Sequence, residues 1–269
     1  MSGLIKPELQ ARAFLKMLDP NTDQFRFRQL PDNAKSRVRP RNLDGTFKAV
    51  LPQLQWASGA GGGAFVVVNE GGQKDSEITR VRAVFADTDG APLEPIVEAL
   101  KSHMVVESSP RNYHAYWLTE SDFPLDQFTP VQLAIANKFG TDKKVCNLSR
   151  VMRMPGFSHN KNEPVLTRLV RLNWQLPRYT HDEVVTGLGL QLQTPNVANQ
   201  SAIPLRTKFA DAPPIEEVER ALAYLNPFVD RDTWVRSILA LAHDYGEGAR
   251  DLAHRWSRGD LWNGERYGA

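Results

Sequence analysis

The segment Val84-Phe85-Ala86-Asp87-Thr88-Asp89-Gly90 sets two carboxylates one residue apart after an apolar run. Side chains two apart on a strand share a face, so Asp87 and Asp89 are expected side by side at a strand end. Two ionised carboxylates that close repel each other, and a cation between them relieves the repulsion. Hard divalent ions with oxygen ligands, Mg2+ or Mn2+, suit a carboxylate site that also takes phosphate. The plainer reading is a polar strand end, with Asp89-Gly90 opening a turn. Phe85 and Ala86 argue for burial, where idle acids are costly. An EF-hand calcium loop is excluded, because no third ligand stands at the required spacing: Ala91 and Pro92 occupy the positions of its third acid and its glycine.

A second group surrounds His114. It opens an alternating strand, with Ser108, Ser109 and Arg111 just before it. Hydroxyls, a guanidinium and an imidazole around one hairpin form a phosphate clamp. A lone histidine in such a strand is more often structural. The third group is Gly140-Thr141-Asp142, then Ser149-Arg150-Val151-Met152-Arg153-Met154-Pro155-Gly156, then Asn160-Lys161-Asn162. Asp142 follows a helix stop, where a ligand can be aimed into a cleft. Arg150 and Arg153 face opposite sides of a strand, so one suits nucleotide and the other template or a core carboxylate. The 142–172 stretch carries seven Lys and Arg against two acids. Such a strip fits a polyanion, with Lys143, Lys144 and Asn160 as expected nucleic-acid contacts. A solvated surface is the bland alternative.

These residues need elements to hold them. Phe14, Met17 and Leu18 stripe an opening helix between Pro7 and Pro20. Residues 21–47 read as irregular, apart from an edge strand at Phe25–Arg28. Gly59–Gly63 lead sharply into a buried strand, Phe65–Val68. They form no Walker loop, because no Gly-Lys-Ser/Thr follows. Arg80–Asp89 reads as a strand and Leu93, Ile96, Val97 and Leu100 as a helix face. His103–Ser109 and His114–Thr119 read as a hairpin. Thr129 and Pro130 are expected to cap a helix that Gly140 ends. Arg150–Met154 and Val165–Asn173 complete the strands. The intermixing indicates an α/β or α+β core. The Gln-, Asn-, Pro- and Ser-rich stretch after residue 190 reads as a linker. Beyond it Ile215, Val218, Leu222 and Leu225, then Trp234, Ile238, Leu241 and Tyr245, then Ala249, Leu252 and Trp256 form helical stripes. The expected division is a catalytic domain at 1–190, a linker at 191–213 and a helical domain at 214–269. The last element lacks a cap, as it would in a piece of a longer protein.

A chain of 269 residues with 41% hydrophobic residues can bury a full core. No apolar window approaches the roughly 20 residues that cross a bilayer, so no membrane partner is expected. Cys146 is the single cysteine. Internal disulfides and multi-cysteine zinc sites are thereby excluded, and a cytoplasmic location is expected.

The order D-x-D at a strand end, then Ser and His, then Asp142 with SRVMRMPG and Asn160-Lys161-Asn162, resembles the archaeo-eukaryotic primase superfamily. More narrowly it is similar to the primase-polymerases of plasmids, phages and mobile elements. The likeness runs from about Leu51 to Lys161 and includes GAGGGAFVVVN and ITRVRAVFADTDG. VERALAYL, DTWVRSILALAHDYG and HRWS resemble the helical domain that follows such cores. The resemblance implies a two-lobed core with mixed sheets, in which Asp87, Asp89 and Asp142 hold two Mg2+ or Mn2+ ions. It implies that His114, with Ser109 near, contacts nucleotide phosphates, joined by Arg150, Arg153 and Lys161. The implied partners are a single-stranded DNA template and NTPs or dNTPs, and a helicase region in a longer chain is one it allows. The Ser109-Pro110-Arg111-Asn112 link replaces the more usual glycine-rich turn.

Asp87-Thr88-Asp89-Gly90 also resembles the first motif of haloacid-dehalogenase phosphatases, but that reading leaves RVMRMPG unexplained. A non-catalytic origin-binding module is a third reading, and a glycosyltransferase using D-x-D on a sugar-nucleotide a fourth and weaker one.

Overall fold

Val84 and Phe85 are β-prone residues that with Ala86 bury both faces, and in the computed structural model they lie at the centre of the larger domain. The structure describes residues 6–192, 213–229, 231–262 and 264. The chain divides into two compact units, Met1–Gln193 and Thr194–Ala269. The linker expected at 191–213 lies almost wholly outside the described residues.

The first unit is built on two four-stranded antiparallel sheets. One has the order β2 (Arg41–Thr46), β1 (Gln24–Pro31), β3 (Gly62–Val67) and β9 (Val151–Arg153). The other has the order β12 (Arg168–Leu172), β7 (Met104–Ser109), β8 (Asn112–Leu118) and β6 (Ala83–Asp87). Two small ladders accompany them, β4 (Glu70–Gly71) with β5 (Ile78–Arg80), and β10 (Ser158–His159) with β11 (Val165–Leu166). The isolated Thr119–Tyr179 bridge supplies the parallel pairing among the described residues.

Helices α1 (Pro7–Leu18), α2 (Phe47–Gly59), α3 (Glu94–Ala99), α4 (Leu125–Phe139) and α5 (His181–Gly187) complete the unit. Phe14 of α1 meets Tyr116 of β8 edge to face at 5.3 Å, and Phe128 of α4 meets Phe85 at 5.9 Å. Such pairs add specific geometry to the burial of large apolar area.

Several expectations are corrected. The Phe25–Arg28 segment is no edge strand: β1 lies between β2 and β3. Its partner β2, Arg-Asn-Leu-Asp-Gly-Thr, is too polar to read as a strand, so β1 looks unpartnered on one side from sequence alone. Helix α4 starts at Leu125, and Pro130 lies inside it. Burial of Phe128 favours the extra N-terminal turn despite the one backbone bond that Pro130 cannot make. The run expected as one strand from Val165 to Asn173 is broken at buried Thr167, whose backbone turns to pair with Phe157 and Gly156.

The second unit contains α6 (Ile215–Leu222), α7 (Arg231–Tyr245) and α8 (Arg250–Arg258). Leu222, Leu241, Leu252 and Trp256 form its core, and the Trp256 indole donates to the Leu225 carbonyl at 2.9 Å. Leu225 itself falls beyond α6 and is exposed, contrary to its place in the expected stripe.

Candidate active site

Strand β6 delivers Asp87 at its last residue, paired with His114 of β8. Thr88 adds one more rung: its N–H donates to the Tyr113 carbonyl at 2.9 Å, and its hydroxyl accepts from Tyr113 N–H at 2.8 Å. The chain then turns, with Ala91 N–H donating to Thr88 O at 2.7 Å. Asp89 has φ of +38°, a left-handed conformation that Asp tolerates better than most residues. Asp87 and Asp89 therefore do not share a strand face as the simple alternation required. The turn folds Asp89 back, and both acids line one cleft.

Asp142 reaches the same cleft from another direction. Helix α4 ends at Gly140 in the left-handed conformation, which favours a residue without Cβ. Two residues later Asp142 N–H donates to the carbonyl of Asp87 at 2.9 Å. Buried Gln132 of α4 fixes both segments. Its side-chain oxygen accepts from Phe85 N–H at 3.0 Å, a group the edge strand leaves without a ladder partner, and its amide donates to Val145 O at 2.8 Å. A sequence gap of 55 residues is closed by main-chain and amide hydrogen bonds.

The cleft has a volume of about 620 Å³ and lies between the two sheets. His114 is buried beside the acids, its Nε2 at 3.7 Å from Asp87 Oδ2. The Tyr116 hydroxyl lies 3.4 Å from His114 Nδ1. A carboxylate can only accept, so the consistent tautomer carries the proton on Nε2 and accepts from Tyr116 at Nδ1. Burial lowers the His114 pKa; Asp87 opposes the shift and Arg153 reinforces it. Burial likewise holds the Tyr116 hydroxyl well above its ordinary value, so it stays a donor. Ser109 Oγ accepts from the Asn112 amide at 3.0 Å and keeps its own proton for a ligand.

The cationic wall comes from β9 and the loops around it. Arg150 lines the cleft, and its Nε is buried with no hydrogen-bond partner. Arg153 also lines the cleft, but its guanidinium forms two bonds to Asp32, at 2.8 and 3.0 Å. It lies 4.5 Å over the Phe65 ring. Gly63 makes this possible, since a Cβ there would meet Arg153 at 2.3 Å. Of the two roles open to these arginines, the core-carboxylate pairing falls to Arg153. Lys161 is exposed at the cleft edge.

Other expected residues lie elsewhere. Asn160 does not face a ligand: it is buried, and its amide donates to Ser58 O and Gly62 O at 2.9 and 2.7 Å. Arg111 sits at φ +66° on the hairpin tip, exposed and outside the cleft lining. Lys143 and Lys144 are exposed just after Asp142 and do not line the cleft. The sequence gives no sign of His159, a cleft residue whose Nδ1 bonds Ser108 O at 3.0 Å. Nor does it point to Asp32 and Gln132, whose partners are remote in sequence.

Among the described residues no group of three acidic, histidine or cysteine side chains is already gathered into a metal cage. The donor set nonetheless fits a hard cation. Three carboxylates open on one cleft, and among the described residues no Lys or Arg pairs with Asp87, Asp89 or Asp142. Carboxylate oxygens of this kind suit Mg2+ or Mn2+.

Comparison with known proteins accords with this geometry. No curated protein matches the chain. The cyanophage S-2L primase-polymerase AEP domain is similar in fold, with a TM-score of 0.58 and 23% identity, over 67% of this chain and 97% of that one. The catalytic domain of primase RepB′ in complex with initiator DNA gives a TM-score of 0.53 and 16% identity, over 80% and 98% of the two chains. Primase RepB′ gives 0.54 and 14%, over 94% and 93%. Residues 84–182 match the RepB DNA-primase N-terminal domain, and residues 218–266 match the primase C-terminal 2 domain. The chain thus carries a RepB-type DNA-primase N-terminal domain, of a nucleotidyltransferase family, followed by a primase C-terminal domain.

Proposed function

We propose that this primase is a template-dependent nucleotidyltransferase that makes primers, and extends them, in the replication of a plasmid, phage or mobile element. The observation that carries this reading is the hydrogen bond from Asp142 N–H to Asp87 O, which brings the third acid to the pair at Thr88. The complex of RepB′ with initiator DNA supports DNA as the partner, and the template is read as single-stranded.

Asp87, Asp89 and Asp142 would hold two divalent ions, whose charge would offset that of the triphosphate and lower the pKa of the attacking 3′-hydroxyl. The protein's own residues do the rest. Neutral His114 donates its Nε2 proton to a phosphoryl oxygen, and the Ser109 hydroxyl adds a second donor. Arg150, whose Nε has no internal partner, and Lys161 balance the charge that develops on pyrophosphate. Arg153 is held against β3 by Asp32 and shapes the wall instead of swinging free.

The phosphatase alternative loses its support, because Asp142 joins the acid pair and the matched family is a primase. A non-catalytic origin-binding module does not fit an enzyme family either. The test is incorporation of NTPs and of dNTPs on a single-stranded template, with and without a primer, in Mg2+ and in Mn2+. Synthesis should stop on chelation and in the Asp87→Ala/Asp89→Ala variant, while template binding persists. Synthesis by that variant would remove the site.

A further inference from the structure

The segment Lys35-Ser36-Arg37-Val38-Arg39-Pro40-Arg41 carries a cation at every second position. All four cations are exposed, and among the described residues no carboxylate lies within ion-pair distance of any of them. Lys35 lies in a turn closed by Ser36 N–H on Asn33 O, residues 36–40 then run on without helix or strand to Arg41 at the start of β2, and the segment is anchored from behind. Val38 is buried at 4% exposure, where a Cβ on Gly62 would touch it, and Arg39 O accepts from the Gln29 amide at 2.9 Å. With Val38 turned inward, its neighbours turn outward. Alternate residues of a chain lie at most about 7 Å apart, a reach comparable to one nucleotide of a stretched single strand.

This ribbon begins behind the cleft wall. Asp32, three residues before Lys35, holds Arg153 on the cleft wall and accepts from Asn160 N–H at 2.7 Å, next to Lys161. Further along, Arg37 N–H donates to Ala60 O at 3.2 Å, while Ala60 N–H donates to Trp56 O at 2.9 Å. Trp56, in the last turn of α2, is 52% exposed, a large apolar face whose main chain is linked to that of Arg37 through Ala60. A basic stripe with an exposed aromatic ring is the combination that binds single-stranded nucleic acid, phosphates on the cations and a base on the ring.

We infer that Lys35, Arg37, Arg39 and Arg41, with Trp56, form the track along which single-stranded DNA enters the Asp87–Asp142 cleft. The assignment rests on the primase reading and adds to it the path of the template. It adds to the Lys143 and Lys144 contacts expected from the sequence, whereas the Asn160 amide is taken up by Ser58 O and Gly62 O.

The test uses the full chain and a fluorescein-labelled oligothymidylate. Binding is followed by anisotropy between low and moderate salt, and incorporation of dATP and ATP is measured on the same template. Changing all four cations to Gln should weaken binding at least tenfold and reduce the slope of log affinity against log salt by about 3. Saturating template should restore most of the incorporation rate. Replacing the three arginines by Lys should retain binding, because phosphate contacts need only the charge. Trp56→Ala should weaken single-strand binding about tenfold and leave the salt slope unchanged. An Asp87→Asn/Asp89→Asn variant should bind the strand at least as well as wild type and incorporate nothing.

Unchanged affinity and slope in the four-Gln variant, with wild-type synthesis intact, would overturn the track and leave the primase reading standing. Ribbon-dependent binding by a wild-type protein that incorporates nothing would uphold the track and sink the polymerase chemistry. Loss of duplex and single-strand binding in equal measure, with Trp56→Ala silent, would overturn the assignment to single strands.

Discussion

Replacing Gln132 by Leu should damage both stability and synthesis, although Gln132 touches no substrate. The side chain is 1% exposed, and Leu nearly matches its size. The change removes two hydrogen bonds, from Phe85 N–H at 3.0 Å and to Val145 O at 2.8 Å. Each leaves a buried main-chain group unpaired, at about 1–3 kcal/mol apiece. Leu regains part of this through apolar burial, so a net loss of about 2–4 kcal/mol is expected. The unpaired groups belong to the strand that carries Asp87 and the loop that carries Asp142. A misplacement of these acids should lower kcat by about ten- to a hundredfold. The nucleotide KM should change little, since the phosphate-contacting side chains lie at the end of β7, on β8 and in the segments before β9 and after β10. Urea unfolding followed by tryptophan fluorescence gives the first quantity and steady-state incorporation the second. A Gln132→Leu protein that unfolds at the wild-type urea concentration, or that keeps the wild-type kcat, would refute the role of Gln132 in holding the acids together.

Three further outcomes follow from the geometry. Asp32→Ala should cost about 3–5 kcal/mol by leaving the Arg153 guanidinium unpaired, and adding Arg153→Met should recover at least about 1 kcal/mol; simple additivity in the unfolding cycle would deny the coupling. His114→Gln should raise the nucleotide KM about tenfold, the worth of one hydrogen bond to a charged phosphate of about 1.5 kcal/mol, while leaving template affinity unchanged; an unaltered KM would make His114 structural. His103 accepts from Leu118 N–H at Nδ1 and bonds Pro177 O through Nε2, and burial lowers its pKa to about 4. The unfolded chain binds that proton first, so the stabilisation is present above about pH 6.5 and is lost progressively as pH falls toward 4, by up to about 3 kcal/mol. His103→Gln should flatten that part of a urea-midpoint profile against pH, and an unchanged slope would locate the titration elsewhere.

The elements around the acids are legible in the sequence because their signals are local. Val84–Ala86 is a buried run, Met104–Ser109 and Asn112–Leu118 alternate about a short link, and Gly140 ends a periodic helix. The pairing of β1 is hidden because β2 offers Leu43 as its single buried residue. The acid pair is legible in composition but not in conformation: Asp89-Gly90 does open a turn, and the turn, not strand alternation, places Asp89. Polar residues whose partners are distant give no local sign of their role. Arg153 reaches Asp32 across 121 positions, and Asn160 reaches Ser58 across 102. Asn160 therefore reads as a surface contact, while nothing local singles out Asp32 or Gln132. The Lys35–Arg41 cations are plain in the sequence, but their outward alternation depends on Val38 docking at Gly62.

The central claim, that Asp142 acts with Asp87 and Asp89 at one metal-dependent site, is tested most directly by Asp142→Asn. Its template-directed incorporation should be measured in Mg2+ and in Mn2+ beside Asp87→Asn. The account predicts losses of similar size in both variants, of at least about a hundredfold, that do not sum in the double variant. Asp142→Asn synthesising at the wild-type rate, with Asp87→Asn inactive, would contradict it.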